Sequence, residues 1–259
     1  MRRCFIFGLG YSAGRIASAL EARGWEIVST GRAGTLSFDD SANVRLALAD
    51  ADAVLSSVPP SADGDPVLAS YGADITAHKV VYLSSTGVYG DTEGAWVDET
   101  APTGTGRRTA RADADAAWLE RGARVLRLPG IYGPGRSALE RVREGRAHRI
   151  DLVPQVFSRV HVDDIVSGAL AAFAAPPGAY NLADDEPASQ NAVIEEACRL
   201  LGIAPPPLQT LDEAGLSPMA RGFYAENRRV ANGKAKRVLD WRPRYPSYRE
   251  GLRALLASR

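Results

Sequence analysis

The chain is poor in the residues that staple or ligate. Its 259 residues include two cysteines and three histidines. Cys4 and Cys198 lie far apart in apolar patterns, and neither has a Cys or His neighbour at metal-ligand spacing. A disulfide framework and a cysteine-based metal site are therefore excluded, leaving buried free thiols in a reducing compartment. An excess of charge is also missing, because 31 basic residues balance 31 acidic ones. Zero net charge gives no electrostatic reason to expect nucleic acid or an anionic membrane as partner. The densest basic run, Arg141 to Arg149, holds four arginines and His148 and reads as a solvated helix face. No apolar run approaches the roughly 20 residues of a membrane span. The run after Met1-Arg2-Arg3 is too short for a signal peptide's central region. The expected location is the cytoplasm.

What is present is alternation. Strand-like runs at Cys4–Phe7, Glu26–Thr30, Ala53–Val58, Val80–Ser84 and Arg124–Leu128 are separated by helical stretches at Ser12–Arg23, Asp40–Ala49, Pro66–Ala77 and Thr109–Arg121. Strands this apolar need cover on both faces. The expected fold is therefore α/β, a Rossmann-type doubly wound parallel sheet. After Pro129 the regularity weakens. A helix is expected at Ala138–Glu144, a strand at Ser158–Val162 and a helix at Asp163–Ala174. A strand at Ala179–Leu182, a helix from Ser189 to about Leu201 and two short helices, Asn232–Leu239 and Ser247–Leu256, follow. Residues 1–130 read as the dinucleotide-binding core of one domain. Residues 131–259 read as added sheet elements and a small C-terminal cap on the substrate side.

The first strand runs into Gly8-Leu9-Gly10-Tyr11-Ser12-Ala13, a Gly-x-Gly-x-x-Ala pattern opening a helix. Gly8 suits the tight turn, Gly10 the approach of a pyrophosphate to backbone, and Ala13 close helix–strand packing; Tyr11 and Ser12 begin the helix. The second strand ends at Thr30-Gly31-Arg32 without the acid that would bond an NAD ribose, and Arg32 could pair with a 2′-phosphate. The expected cofactor is NADP, with NAD less favoured. Ser57, Val58 and Pro59 end the next strand beside that cofactor.

The segment Val81-Tyr82-Leu83-Ser84-Ser85-Thr86-Gly87-Val88-Tyr89-Gly90-Asp91 resembles the fifth strand of extended short-chain dehydrogenases/reductases, the NAD-dependent epimerase/dehydratase family. Leu126 to Arg136, Arg159 to Ile165 and Tyr180 to Asp184 resemble the same family, in order. The tail from Asn232 to Leu252 resembles an atypical subgroup of it. The resemblance implies cofactor contacts at Ser84, Pro129 and Gly130, a catalytic serine at Ser85 with Thr86 beside it, and substrate contacts at Tyr132 and Arg136. It also implies a turn and helix cap at His161-Val162-Asp163-Asp164, with no metal. The family's tyrosine and lysine should fall in Thr103 to Asp113, where neither residue type occurs. Arg107 and Arg111 keep their four-residue spacing. Arg107 cannot shuttle a proton, because arginine stays protonated, whereas Arg111 can still bind ribose or phosphate.

Two readings follow. One is an NADP(H)-dependent oxidoreductase or epimerase acting on a small polar, sugar-nucleotide-like substrate. The other is a non-catalytic NADP(H)-binding sensor or partner-binding module. A homodimer through the segments Pro66–Ala77 and Thr109–Arg121 is an expectation of the resemblance.

Overall fold

A computed structural model describes residues 2–106, 109–152 and 155–258. The alternation becomes a walk through the sheet. β1 (Arg2–Phe7) leads into α1 (Tyr11–Glu21), β2 (Trp25–Ser29) into α2 (Ser41–Ala49), and β3 (Ala53–Ser56) into α3 (Pro66–Tyr71). β4 (Lys79–Ser85) leads into α4 (Thr109–Glu120). β5 (Arg124–Leu128) is followed by α5 (Ala138–Arg143) and α6 (Val162–Ala172) before β6 (Gly178–Asn181). The tail carries α7 (Gln190–Leu201), α8 (Pro218–Phe223), α9 (Gly233–Val238) and α10 (Tyr248–Ala257).

The six strands form one parallel sheet in the order β6-β5-β4-β3-β1-β2. The usual doubly wound order, 3-2-1-4-5-6, has a further strand outside the second one. Here α2 crosses directly from β2 to β3, so β2 is the sheet edge.

Alternation along β1 explains the apolar runs. Cys4 and Ile6 point to α1 and α6, meeting Ile16, Leu20, Ile165 and Ala169. Phe5 and Phe7 point the other way, to Val44, Leu48, Val67, Tyr71 and Trp118 on α2, α3 and α4. Both faces are buried, so neither can be polar. A separate cluster joins Leu139, Val193, Ile194, Cys198, Tyr248 and Leu252 from α5, α7 and α10 into the C-terminal cap.

Helix starts follow side-chain chemistry. Asp40, Asp65, Ser189 and Ser247 each accept a backbone N–H of the first turn. Asp65 also accepts the Trp118 Nε1–H at 2.8 Å, tying α3 to α4. The helix expected over Pro66–Ala77 stops at Tyr71, and a 3-10 turn over Gly72–Asp74 replaces its second half. The strand expected at Ser158–Val162 forms over Arg159–His161 but outside the central sheet, paired with Gly130–Tyr132.

Candidate active site

The glycine loop is clamped by its neighbours. Gly8 adopts φ +81°, a value glycine tolerates without strain. A Cβ there would lie 3.0 Å from Val58 Cγ2 and 3.1 Å from Ser57 Oγ. A Cβ on Gly31 would lie 2.9 Å from the Leu9 nitrogen. Leu9 N–H donates to the Thr30 carbonyl at 2.9 Å, and the Ser57 hydroxyl donates to the Gly8 carbonyl. The ends of β2 and β3 thereby fix the loop. Beyond it, Gly10 opens α1 with no side chain capping the first turn, and a Cβ on Gly10 would meet nothing within 4 Å. The backbone N–H groups at that helix start are open to an anionic ligand. Arg32 follows Gly31, is exposed and pairs with no acid among the described residues.

A cavity of about 790 Å³ runs from this helix start, along the ends of β4 and β5, to the cap. It brings together Gly10, Tyr11, Ser12, Ala13, Ser57, Ser84, Ser85, Thr86, Arg111, Pro129, Gly130, Tyr132 and Arg136. Gly8, Val58, Pro59 and Arg32 lie outside the lining; the first two pack behind the loop, and Pro59 is exposed. Arg107 lies outside the described residues.

The end of β4 is held by a buried polar ladder. Ser84 Oγ donates to Asp115 Oδ2 at 2.6 Å. Arg127 grips the same carboxylate through Nη2 at 2.7 Å and Nε at 3.1 Å. Its Nη1 donates to the Tyr89 oxygen at 3.0 Å, and Tyr89 donates to Asn181 Oδ1 at 2.8 Å. The ladder crosses from α4 to β6 directly behind Ser85 and Thr86, and it commits the Ser84 hydroxyl. Ser85 Oγ accepts the Gly87 N–H at 3.1 Å and starts the 3-10 turn Thr86–Tyr89. Its own proton and second lone pair remain for a ligand. Arg111 lines the cavity and donates to the Tyr82 hydroxyl at 2.9 Å.

Two predicted side chains face other work. The buried Tyr132 hydroxyl points at the Ser247 carbonyl, 3.4 Å away, and burial pushes its pKa well above the ordinary tyrosine value. It is poorly placed to give up a proton. The Arg136 guanidinium lies 5.8 Å from the Tyr11 ring centroid, and the Tyr11 hydroxyl donates to the Pro134 carbonyl at 3.1 Å. Arg136 therefore sits near the glycine loop as well as the cap.

The His161 cluster is a cap and a tether. His161 Nδ1 accepts the Asp163 N–H at 3.2 Å at the start of α6. Burial lowers its pKa to about 4, so the ring is neutral at pH 7. Asp164 accepts the backbone N–H groups of Arg244 at 2.6 Å and Tyr245 at 3.2 Å, fastening the tail to the sheet. Among the described residues no group of three or more His, Cys, Asp or Glu side chains could hold a metal ion.

Asp184, at the end of the Tyr180 motif, makes a stability prediction. Burial pushes its carboxyl up to about 8, against the pull of the Arg159 charge, with Asp185 and Glu186 adding to the rise. An acid whose folded pKa exceeds its unfolded value of about 3.9 stabilises most below that value and loses the contribution as pH rises toward 8. Asp184→Asn should therefore lose less melting temperature than wild type between pH 4 and pH 8. Parallel melting curves for the two proteins would contradict it.

Sequence reasoning missed the cap half of the cavity. Arg141, Arg146 and His148, from the run read as a solvated face, line it, with Phe157, Arg159, Tyr224, Glu226 and Arg228. These residues come from separate segments, and no short spacing relates them.

No family model matches the chain. The structure superposes on a conserved protein of unknown function from Silicibacter pomeroyi with a TM-score of 0.88 and 41% identity, covering 100% of this chain and 99% of that one. It also superposes on the human epimerase family protein SDR39U1, solved with NADPH, at a TM-score of 0.78 and 17% identity, covering 99% and 100%. The dTDP-glucose 4,6-dehydratase of Bacillus anthracis, solved with NAD, gives a TM-score of 0.78 at 15% identity, covering 99% and 96%. In fold, the chain matches these epimerase-family and dehydratase structures, and its motifs fall in the order that its resemblance to extended short-chain dehydrogenases/reductases implies.

The sequence relatives are diverse. Protein YeeZ of Escherichia coli K12 is 27% identical over 271 aligned positions, covering 90% of this chain and 94% of that one. A 3-diazoavenalumate denitrifying reductase from a Streptomyces species is 36% identical over 153 positions, covering 54% of this chain and 48% of that one. The chain departs from the family pattern at the tyrosine and lysine positions, as its residues 103–113 already state.

Proposed function

We propose that the protein is an NADP(H)-dependent oxidoreductase or epimerase-like enzyme of the cytoplasm, acting on a small polar substrate. The observation that carries this reading is the continuous cavity joining an uncapped helix start to Ser85, Thr86 and the cap. The residues present suit the cofactor: Gly10 leaves room for backbone approach, α1 offers N–H groups, and the exposed Arg32 after β2 is the candidate partner of a 2′-phosphate. Pro129 and Gly130 would flank the nicotinamide end, and Arg111 would reach its ribose or phosphate. A bound NADP(H) supplies or accepts hydride. The chain supplies position and polarity: the Ser85 hydroxyl, backed by the Asp115–Arg127 ladder, can hydrogen-bond a substrate carbonyl, with Thr86 beside it. A sugar-nucleotide-like substrate is the form this takes in the family. That Bacillus anthracis neighbour is a dTDP-glucose dehydratase, and that Streptomyces relative is a reductase.

The missing tyrosine and lysine favour a second reading, an NADP(H)-binding sensor or partner-binding module. One experiment separates the two. A panel of carbonyl compounds and sugar nucleotides with NADPH should show turnover that Ser85→Ala reduces by about tenfold, the worth of one hydrogen bond made in the transition state. NADPH binding with no turnover above the Ser85→Ala background would leave the sensor.

A further inference from the structure

The cap half of the cavity is built from two kinds of wall. One is apolar and partly aromatic: Val193 and Ile194 from α7, Leu252 from α10, and the Phe157 and Tyr224 rings, set edge to face at 5.5 Å between centroids. The other is cationic, with Arg136, Arg141 and Arg146 on the same lining. Among the described residues the one acid on the lining is Glu226, and it pairs with Arg228 at 2.9 Å. Arg146 pairs with Glu144, while Arg136 and Arg141 have no ion pair among the described residues.

Several uncharged polar side chains of this half already accept one hydrogen bond. Ser137 caps α5 and accepts the Leu139 N–H at 3.1 Å. Ser158 Oγ accepts the Val230 N–H at 2.9 Å, and Gln190 Oε1 accepts from Arg159 at 3.2 Å. Arg159 spends Nη1 on the Phe157 and Ala188 carbonyls, each at 2.8 Å. The apolar wall offers a polyhydroxylated sugar no hydrogen-bond partner, and each hydroxyl left unmatched there would lose its hydrogen bonds to water. An apolar body meets apolar wall, and an oxyanion meets arginine whose charge no acid cancels.

We propose that this half of the cavity binds a carboxylate or phosphate oxyanion carried on an apolar, aromatic-sized body, with Arg141 as its principal charge partner. The inference rests on the enzyme reading above and names the substrate class of that site, in place of a sugar nucleotide. Arg141 is chosen because it lines this half of the cavity from α5 and has no ion pair among the described residues, whereas Arg136 lies toward the Tyr11 ring.

The test is calorimetric titration of the full chain, with and without NADPH, using cinnamate, phenyl phosphate, neutral cinnamamide and UDP-glucose. At least one aromatic anion should bind about tenfold or more tightly than cinnamamide, the range expected for a charge-assisted contact in a partly enclosed site. Whichever anion binds identifies the head group. Arg141→Gln should abolish that preference, whereas Arg143→Gln, exposed on the same helix and off the lining, should keep it. Equal binding of cinnamate and cinnamamide, or UDP-glucose binding with neither aromatic anion, would overturn the proposal. NADPH binding without any aromatic anion sinks this subsite alone. Anion binding without NADPH binding sinks the cofactor reading and leaves the subsite standing.

Discussion

Replacing Arg32 by alanine should weaken NADPH binding by roughly tenfold to more than a hundredfold, the loss of about 1.5–3 kcal/mol for a hydrogen bond to a charged group. NADH binding should change little. The expectation comes from position. Gly31 packs its backbone against Leu9, so the residue after it emerges beside the glycine loop. Arg32 is exposed and carries no competing acid partner among the described residues, so its charge is available. An acid at the end of β2 would accept the ribose hydroxyls of NAD and repel a 2′-phosphate, but that strand ends at Ser29 with Thr30-Gly31-Arg32 following. Fluorescence titration of both nucleotides against both proteins measures the effect. Parallel weakening of NADH and NADPH would mean that Arg32 touches something other than a 2′-phosphate.

Asp115→Ala should cost about 3–5 kcal/mol, because it leaves the Arg127 cation buried without its counter-ion. Both side chains are almost wholly enclosed, at 4% and 1% exposure, so water cannot replace the lost partner. Ser84 would lose its acceptor as well. At roughly 2–4 °C per kcal/mol for a chain of this size, the melting temperature should fall by about 6–20 °C. The double variant Asp115→Leu/Arg127→Met removes both charges and should recover part of that loss. Recovery stays incomplete, because Ser84 and Tyr89 each lose a hydrogen-bond partner. A single variant that melts within 2 °C of wild type would show that the ladder does not hold the end of β4.

The sheet was legible because burial on two faces leaves a strong mark. Strands β1, β3, β4 and β5 are predominantly apolar, and each lies within two residues of its expected bounds. The expected Ala53–Val58 strand ends at Ser56, since the Ser57 N–H and hydroxyl turn to the Phe7 and Gly8 carbonyls. Caps at Asp40, Ser189 and Ser247 also announced their helices. Other features depend on pairing, which local propensity does not encode. Ser158–Val162 had strand composition, but nothing in it names Gly130–Tyr132 as its partner. Helix α8 was not among the expected elements. The nucleotide half of the cavity comes from four strand ends with recognisable loops. The cap half draws on α5, α7, α10 and the segment 216–230, so proximity arises only on folding.

The most direct test of the central claim is hydrogen exchange of the backbone with and without NADPH. The account predicts slowed exchange at residues 10–13, 83–87 and 128–132, the walls of the nucleotide half of the cavity. Unchanged exchange at all three segments, or protection confined to other parts of the chain, would contradict it.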